Sequence, residues 1–265
     1  MCTIIVRQKM DDWCSTVIAS NRDEFYSRHA SPPVVLSSDP LVVGGRDETK
    51  GGTWFGMTDT GLYVGLTNQR TFSFPDYSLR SRGELVLEAL KTGSHDGVRG
   101  YLEQIDPRLY NEFNVIFGDG DSVAVAYGRW SSDRLELESL SAGVHVLCND
   151  RLGSAEFPKA DSTRARVLLL GPQPWPVLKE DLTAILSDTS LPDPSEVPPL
   201  PPNPIFDQKL ARRLQAVCVT TPLYGTVSST IAAVKPGEVV EYQYAAGSPS
   251  ESPFKDVVHL IRGPV

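Results

Sequence analysis

Apolar and polar positions alternate in short runs over the first quarter of the chain. Residues 3–7 and 16–20 are rich in aliphatic and β-branched side chains and flank a polar stretch with Asp11 and Asp12. This predicts a β-hairpin. Residues 53–58 and 62–68 flank Asp59-Thr60-Gly61 and predict a second hairpin, its Gly free to take the positive φ of a tight turn. Between the two, the pattern breaks at Pro32-Pro33 and Gly44-Gly45, and a loop-rich stretch is expected.

The period then changes. Leu85, Val86, Ala89 and Leu90 recur at helical spacing over residues 82–91, before Gly93. Residues 98–105 predict a second short helix. Strands are expected at residues 113–118, 122–127, 135–140 and 144–148. Residues 162–170 and 206–216 read as helices, and residues 216–221, 226–234, 238–244 and 256–261 as closing strands. Seven prolines within residues 192–204 exclude a helix or a central strand. That stretch reads as an extended connector or surface loop, with a partner-docking PxxP site as the alternative. Blocks of helices between hairpin-connected strands predict an α+β fold of mostly antiparallel sheets covered by helices. The connector lies between segments that look like parts of one core, so residues 1–265 are expected to form one domain.

Composition narrows the function classes. The 265 residues are 40% hydrophobic and 22% charged, a globular balance. The net charge is −8, without a block of like charges, which argues against nucleic acid as the main partner. Apolar runs are far shorter than the ~18 residues of a membrane span. The first residues lack the basic start and long apolar region of a secretory signal, and they are unlike a transit peptide. A cytoplasmic setting follows, with Cys2, Cys14, Cys148 and Cys218 as thiols in a reducing compartment. Neither the four cysteines nor the four histidines show metal-site or haem-attachment spacing, so no metal and no resident cofactor are expected. Oligomeric state is not legible.

The candidate chemistry begins at Met1-Cys2-Thr3. If Met1 is removed, Cys2 carries both a thiol and a free α-amine, unperturbed at about 8.5 and 7.7–8.0. Base and nucleophile then sit on one residue. A strand starting at Thr3 would pin this terminus at a sheet end, and the returning strand would bring Asn21-Arg22-Asp23-Glu24 beside it. Asp23 is placed to hold the ammonium.

Asn21-Arg22-Asp23-Glu24 spells the signature of the NRDE family, which includes the transport-and-Golgi-organisation protein two group. The chain resembles that family again at Gly44-Gly45-Arg46-Asp47, residues 51–56, Gly61-Leu62 and residues 66–70, and at residues 224–230, where Val227 replaces an expected Arg. More distantly, it is similar to cysteine-type amino-terminal nucleophile (Ntn) hydrolases, the bile-salt hydrolase and penicillin V acylase group. That resemblance implies a four-layer αββα sandwich and an amidase-type site: Cys2 as nucleophile, Asp23 and Arg166 positioning amine and substrate, and Asn68 and Asn149 as oxyanion hole. Asn21, Arg22, Glu24, Trp54 and Arg70 are the matching candidates for substrate contact. Hydrolysis of a non-peptide carbon–nitrogen amide bond is the implied activity. The alternative is a non-catalytic carrier of haem or of acyl lipid and acyl-CoA in the same cleft, with Cys2 available as an axial thiolate. Association with Golgi or mitochondria through partners belongs to the same expectation.

Overall fold

A computed structural model describes residues 2–262; Met1 and residues 263–265 lie outside them. One sheet holds β1 (Thr3–Asp11), β2 (Cys14–Phe25), β10 (Gly143–Leu147), β11 (Tyr224–Lys235), β12 (Glu238–Ala245) and β13 (Lys255–Asp256). Their spatial order is β10-β1-β2-β11-β12-β13. The other sheet is a meander of β3 (Ala30–Ser38), β4 (Leu41–Asp47), β5 (Phe55–Thr58), β6 (Tyr63–Asn68), β7 (Phe113–Gly118), β8 (Val123–Gly128) and β9 (Glu136–Leu140). Every neighbouring pair of strands in both sheets is antiparallel.

The period of two sorts each strand between layers. Ile4, Val6 and Ile18 pack between the sheets with Phe55, Met57 and Ile116. Ile5, Val17 and Ala19 point the other way, under α3 (Pro158–Leu169) and α4 (Trp175–Leu186). On the second sheet Val64, Leu66, Val115 and Phe117 meet Leu85, Val86, Ala89 and Leu90 of α1 (Arg82–Lys91) and Val98 and Leu102 of α2 (His95–Leu102). The result is the expected αββα sandwich. A buried Arg7 locks the outer helices to the first sheet. It pairs with Asp11 at 2.9 Å and donates to the carbonyls of Val167 and Gly171 at the end of α3.

Several elements differ from the sequence reading. The loop-rich stretch is the hairpin β3–β4. Its prolines are tolerated because β3 is an edge strand. Helix α4 was not anticipated. Pro174 and Pro176 stand at its start, where a missing N–H costs nothing. Residues 216–221 form no strand, only the isolated bridge Thr220–Gly225. Of the last expected strand, residues 256–261, only Asp256 pairs, as the end of β13, and His259–Arg262 is helical (α6). The helix expected at residues 206–216 is shortened to α5 (Gln208–Arg213). Among the described residues, no helix is long and apolar enough to cross a membrane.

Candidate functional site

Cys2 precedes β1, which is flanked on both sides by strands. Thr3 pairs with Asn21 on β2, and Ile4 with Leu147 on β10. Continuing the β2 ladder one step and the β10 ladder two steps sets Arg22 on one side of Cys2 and Asn149 on the other. By alternation these three share the face of Ile4, Ile18 and Leu147, towards the second sheet. Arg22 confirms it: its guanidinium lies 4.2 Å over the ring of Trp54, which precedes β5.

Asn21 and Asp23 take the opposite face. Asn21 is fully engaged there, donating to Leu186 O and Val217 O at 2.9 Å each and accepting from Ser229 Oγ. It ties β2 and β11 to the end of α4. Asp23 Oδ1 accepts from Thr226 Oγ1 at 2.6 Å, and its backbone carbonyl accepts from Tyr224 OH at 2.9 Å and lies 3.9 Å from Cys2 Sγ. Burial pushes the Asp23 carboxyl above its ordinary range; the charge of Lys159 and the Thr226 hydrogen bond oppose this. Burial also raises the Cys2 thiol, Asp23 adds to the rise, and Arg22 opposes it.

Lys159, in the first turn of α3, was missed by sequence reasoning. It is only 3% exposed and donates to Ala216 O at 3.3 Å. Arg166, expected to position amine and substrate, lies two helical turns further along α3, ~10 Å along the axis. It pairs with Asp188 at 2.5 Å.

Asn149 is 4% exposed. Its Nδ2 donates to Asn68 O at 2.5 Å, and its buried Oδ1 has no hydrogen-bond partner among the described residues. The two asparagines are thus adjacent, with the Asn68 carbonyl holding the Asn149 amide. Asn114, also unanticipated, fixes this junction by donating to Thr67 Oγ1 and to the Asp150 carbonyl. Arg70 stands at the rim, between the rings of Phe72 and Phe157 and paired with Glu156.

Glu24 accepts the ion pair of Arg28 at 3.6 Å, and Arg28 pairs with Asp47. The two sequence blocks, 21–24 and 44–47, are therefore joined through one guanidinium. Arg82, at the start of α1, faces the same cluster. Burial and the Arg28 charge lower its pKa to about 10, while Glu24 and Cys2 act to raise it. A cleft of about 190 Å³ opens beside Arg22, lined by Tyr26, Arg28, His29, Ser228 and Tyr244. Val227 also lines it, as the bulged residue between the pairs Thr226–Asp23 and Ser228–Arg22. Arg22 is 7% exposed and has no carboxylate partner among the described residues. Chemically, the site combines a thiol, a held carboxamide and an unpaired guanidinium along one row of strand ends.

The family model described as Transport and Golgi organisation 2 (TANGO2) matches residues 1–243. The human Transport and Golgi organization protein 2 homolog is 30% identical over 239 residues, covering 81% of this chain and 80% of its own. The Bos taurus homolog is 32% identical over 236 residues, with the same coverage. Among solved structures, a C2A mutant of conjugated bile acid hydrolase from Clostridium perfringens superposes with a TM-score of 0.53 at 14% identity, covering 98% of this chain and 94% of that one. A Caenorhabditis elegans ortholog of N-acylethanolamine-hydrolyzing acid amidase gives 0.53 at 13% identity, covering 88% and 92%. At these identities the likeness shows the fold alone, that of Ntn hydrolases.

Proposed function

This chain belongs to the Transport and Golgi organisation 2 family, and we propose that within it the chain acts as a cysteine amidohydrolase on a small, non-peptide amide. The observation that carries this reading is the row Asn149–Cys2–Arg22 across three adjacent strand ends. Removal of Met1 exposes the α-amine of Cys2. The amine takes the thiol proton as Sγ attacks the amide carbonyl, and the Asn149 amide stabilises the resulting oxyanion. The C–N bond breaks, the amine returns its proton to the leaving nitrogen, and a thioester remains. Water, deprotonated by the same amine, releases the acid and restores the thiol. Removing one oxyanion donor costs typically ~10²–10³ in rate. Arg22 binds an anionic group of the substrate in the adjoining cleft, its plane held by Trp54.

A second reading, a carrier of haem or of acyl lipid and acyl-CoA in the same cleft, is favoured by one feature: one donor of Asn149 is already bonded to Asn68. A cytoplasmic protein associated with Golgi or mitochondria through partners fits either reading.

Intact mass and an amide panel separate them. Hydrolysis requires mature protein starting at Cys2, product formation abolished by Cys2→Ala, and turnover lowered by Asn149→Ala with binding retained. A haem titration that depends on Cys2 but not on Asn149, with no Cys2-dependent amide product, establishes the carrier instead.

A further inference from the structure

The proline-rich segment is restrained by its own sequence. Prolines fix φ near −65°, and any residue before a proline is driven to extended or polyproline geometry. Within Val197-Pro198-Pro199-Leu200-Pro201-Pro202, this second restriction falls on Val197, Pro198, Leu200 and Pro201. Val197 has φ −83° and ψ 119°. Both ends of the run are fixed. Before it, Pro194–Glu196 forms a 3₁₀ turn closed by a capping box between Asp193 and Glu196. After it, Asn203 turns the chain away at φ 56°.

Exposure follows the three-residue period of a polyproline helix. Val197 is buried and Leu200, three residues on, is half-buried, so this edge faces the protein. Pro199 and Pro202 form an exposed edge, and Pro201 is exposed beside them. Gln208 anchors the run's start by donating to Pro198 O at 3.0 Å, and Arg212 donates to Pro192 O at 2.8 Å. Among the described residues, nothing donates to the carbonyls of Pro199, Leu200, Pro201 or Pro202. They remain available as acceptors.

We propose that residues 197–202 are a docking site for a partner protein carrying a proline-recognition groove lined by parallel aromatic rings. The exposed prolines fill the slots between the rings, and the free carbonyls accept from Trp or Tyr donors at their edges. The fold holds the segment extended in advance, which lowers the ordering cost of binding. This surface is independent of the Cys2 cleft.

The test is a fluorescence-anisotropy titration of labelled WW and SH3 domains with the full-length protein. Saturable binding by at least one domain, displaced by a Pro-Pro-Leu-Pro-Pro peptide, is expected. The double variant Pro199→Ala/Pro202→Ala should bind at least tenfold more weakly with an unchanged melting temperature; if it melts lower, Pro201→Ala serves in its place. Absence of saturable binding to both domains, binding the peptide does not displace, or full affinity in a correctly folded variant overturns the proposal.

Discussion

Lys159 and Arg166 lie on one helix; the sequence reading singled out Arg166, while the charge of that helix that acts on Asp23 is Lys159. The helical pattern was legible only from residue 162, because Pro158 and Phe157 look like loop. Lys159 therefore fell outside the predicted helix, whereas Pro158 in fact starts it. Asp23 has a raised folded pKa, so its stabilising contribution is present below the unfolded value and is lost as pH rises through the folded one. Lys159→Met removes an opposing charge and should steepen that loss. Thermal melts in a pH series from 5 to 8 check this, with Asp23→Asn expected to flatten the added slope. Arg166→Met, at a partly exposed pair, should change stability by at most ~1 kcal/mol without altering the slope. The thiol offers a second residue-level test. Asp23 raises the Cys2 pKa and Arg22 lowers it. Asp23→Asn should therefore move the pH profile of iodoacetamide alkylation down, and Arg22→Met should move it up. Shifts of the same sign in both variants, read by peptide mass spectrometry, would contradict the charge arrangement.

Among the elements, the hairpins β1–β2 and β5–β6 were legible from their aliphatic and β-branched runs, buried on both faces, and helix α1 from its single buried face. Strand β4 was hidden by its glycines, and these carry a constraint absent from any periodicity. A Cβ at Gly45 would stand 2.3 Å from the Trp54 ring. Gly45→Ala should push that ring off Arg22, whose cation–π contact is worth ~0.5–2 kcal/mol. A lower melting temperature, a shifted Trp emission maximum and weakened binding of anionic ligands are expected together. Gly52 faces a harder limit: its Cβ would meet the backbone of Gly83 at 2.2 Å, so α1 lies directly on the turn before β5. The split of residues 21–24 between two faces follows from strand alternation. It became visible only once β2 was seen to run to Phe25, beyond the predicted end at residue 20.

At the scale of the whole molecule, blocks distant in sequence meet because β2 is the long axis of the first sheet, paired to β1 and β11 along most of its length. The Glu24–Arg28–Asp47 link then ties the end of that strand to the second sheet. Burial raises the Asp47 carboxyl, but hydrogen bonds from Arg28 and from Thr49 N outweigh it and hold the pKa below the ordinary value. Its contribution is present above the unfolded pKa and is lost as pH falls through the folded one. Asp47→Asn should reduce stability at pH 7 by roughly 1–3 kcal/mol, the scale of hydrogen bonds to charged groups. The difference from wild type should shrink below pH 4 in urea unfolding. A constant difference at every pH would mean that Asp47 acts through shape alone.

The interior position of β1 also sets a timetable for biosynthesis. The β1–β2 hairpin leaves the ribosome first, yet β10, which covers the β1 flank, begins at Gly143, about 120 residues later, and β11, which covers the β2 flank, begins at Tyr224, about 200 residues later. At roughly 5–20 residues per second, the β1 flank waits ~6–24 s and the β2 flank ~10–40 s. During this interval the first residues are open to an aminopeptidase. Once β10 and β11 dock, Cys2 is half-buried where β1 begins. A chain that leaves the interval with Met1 in place would be committed to that form, so translation speed itself would set the fraction of molecules with a free Cys2 amine.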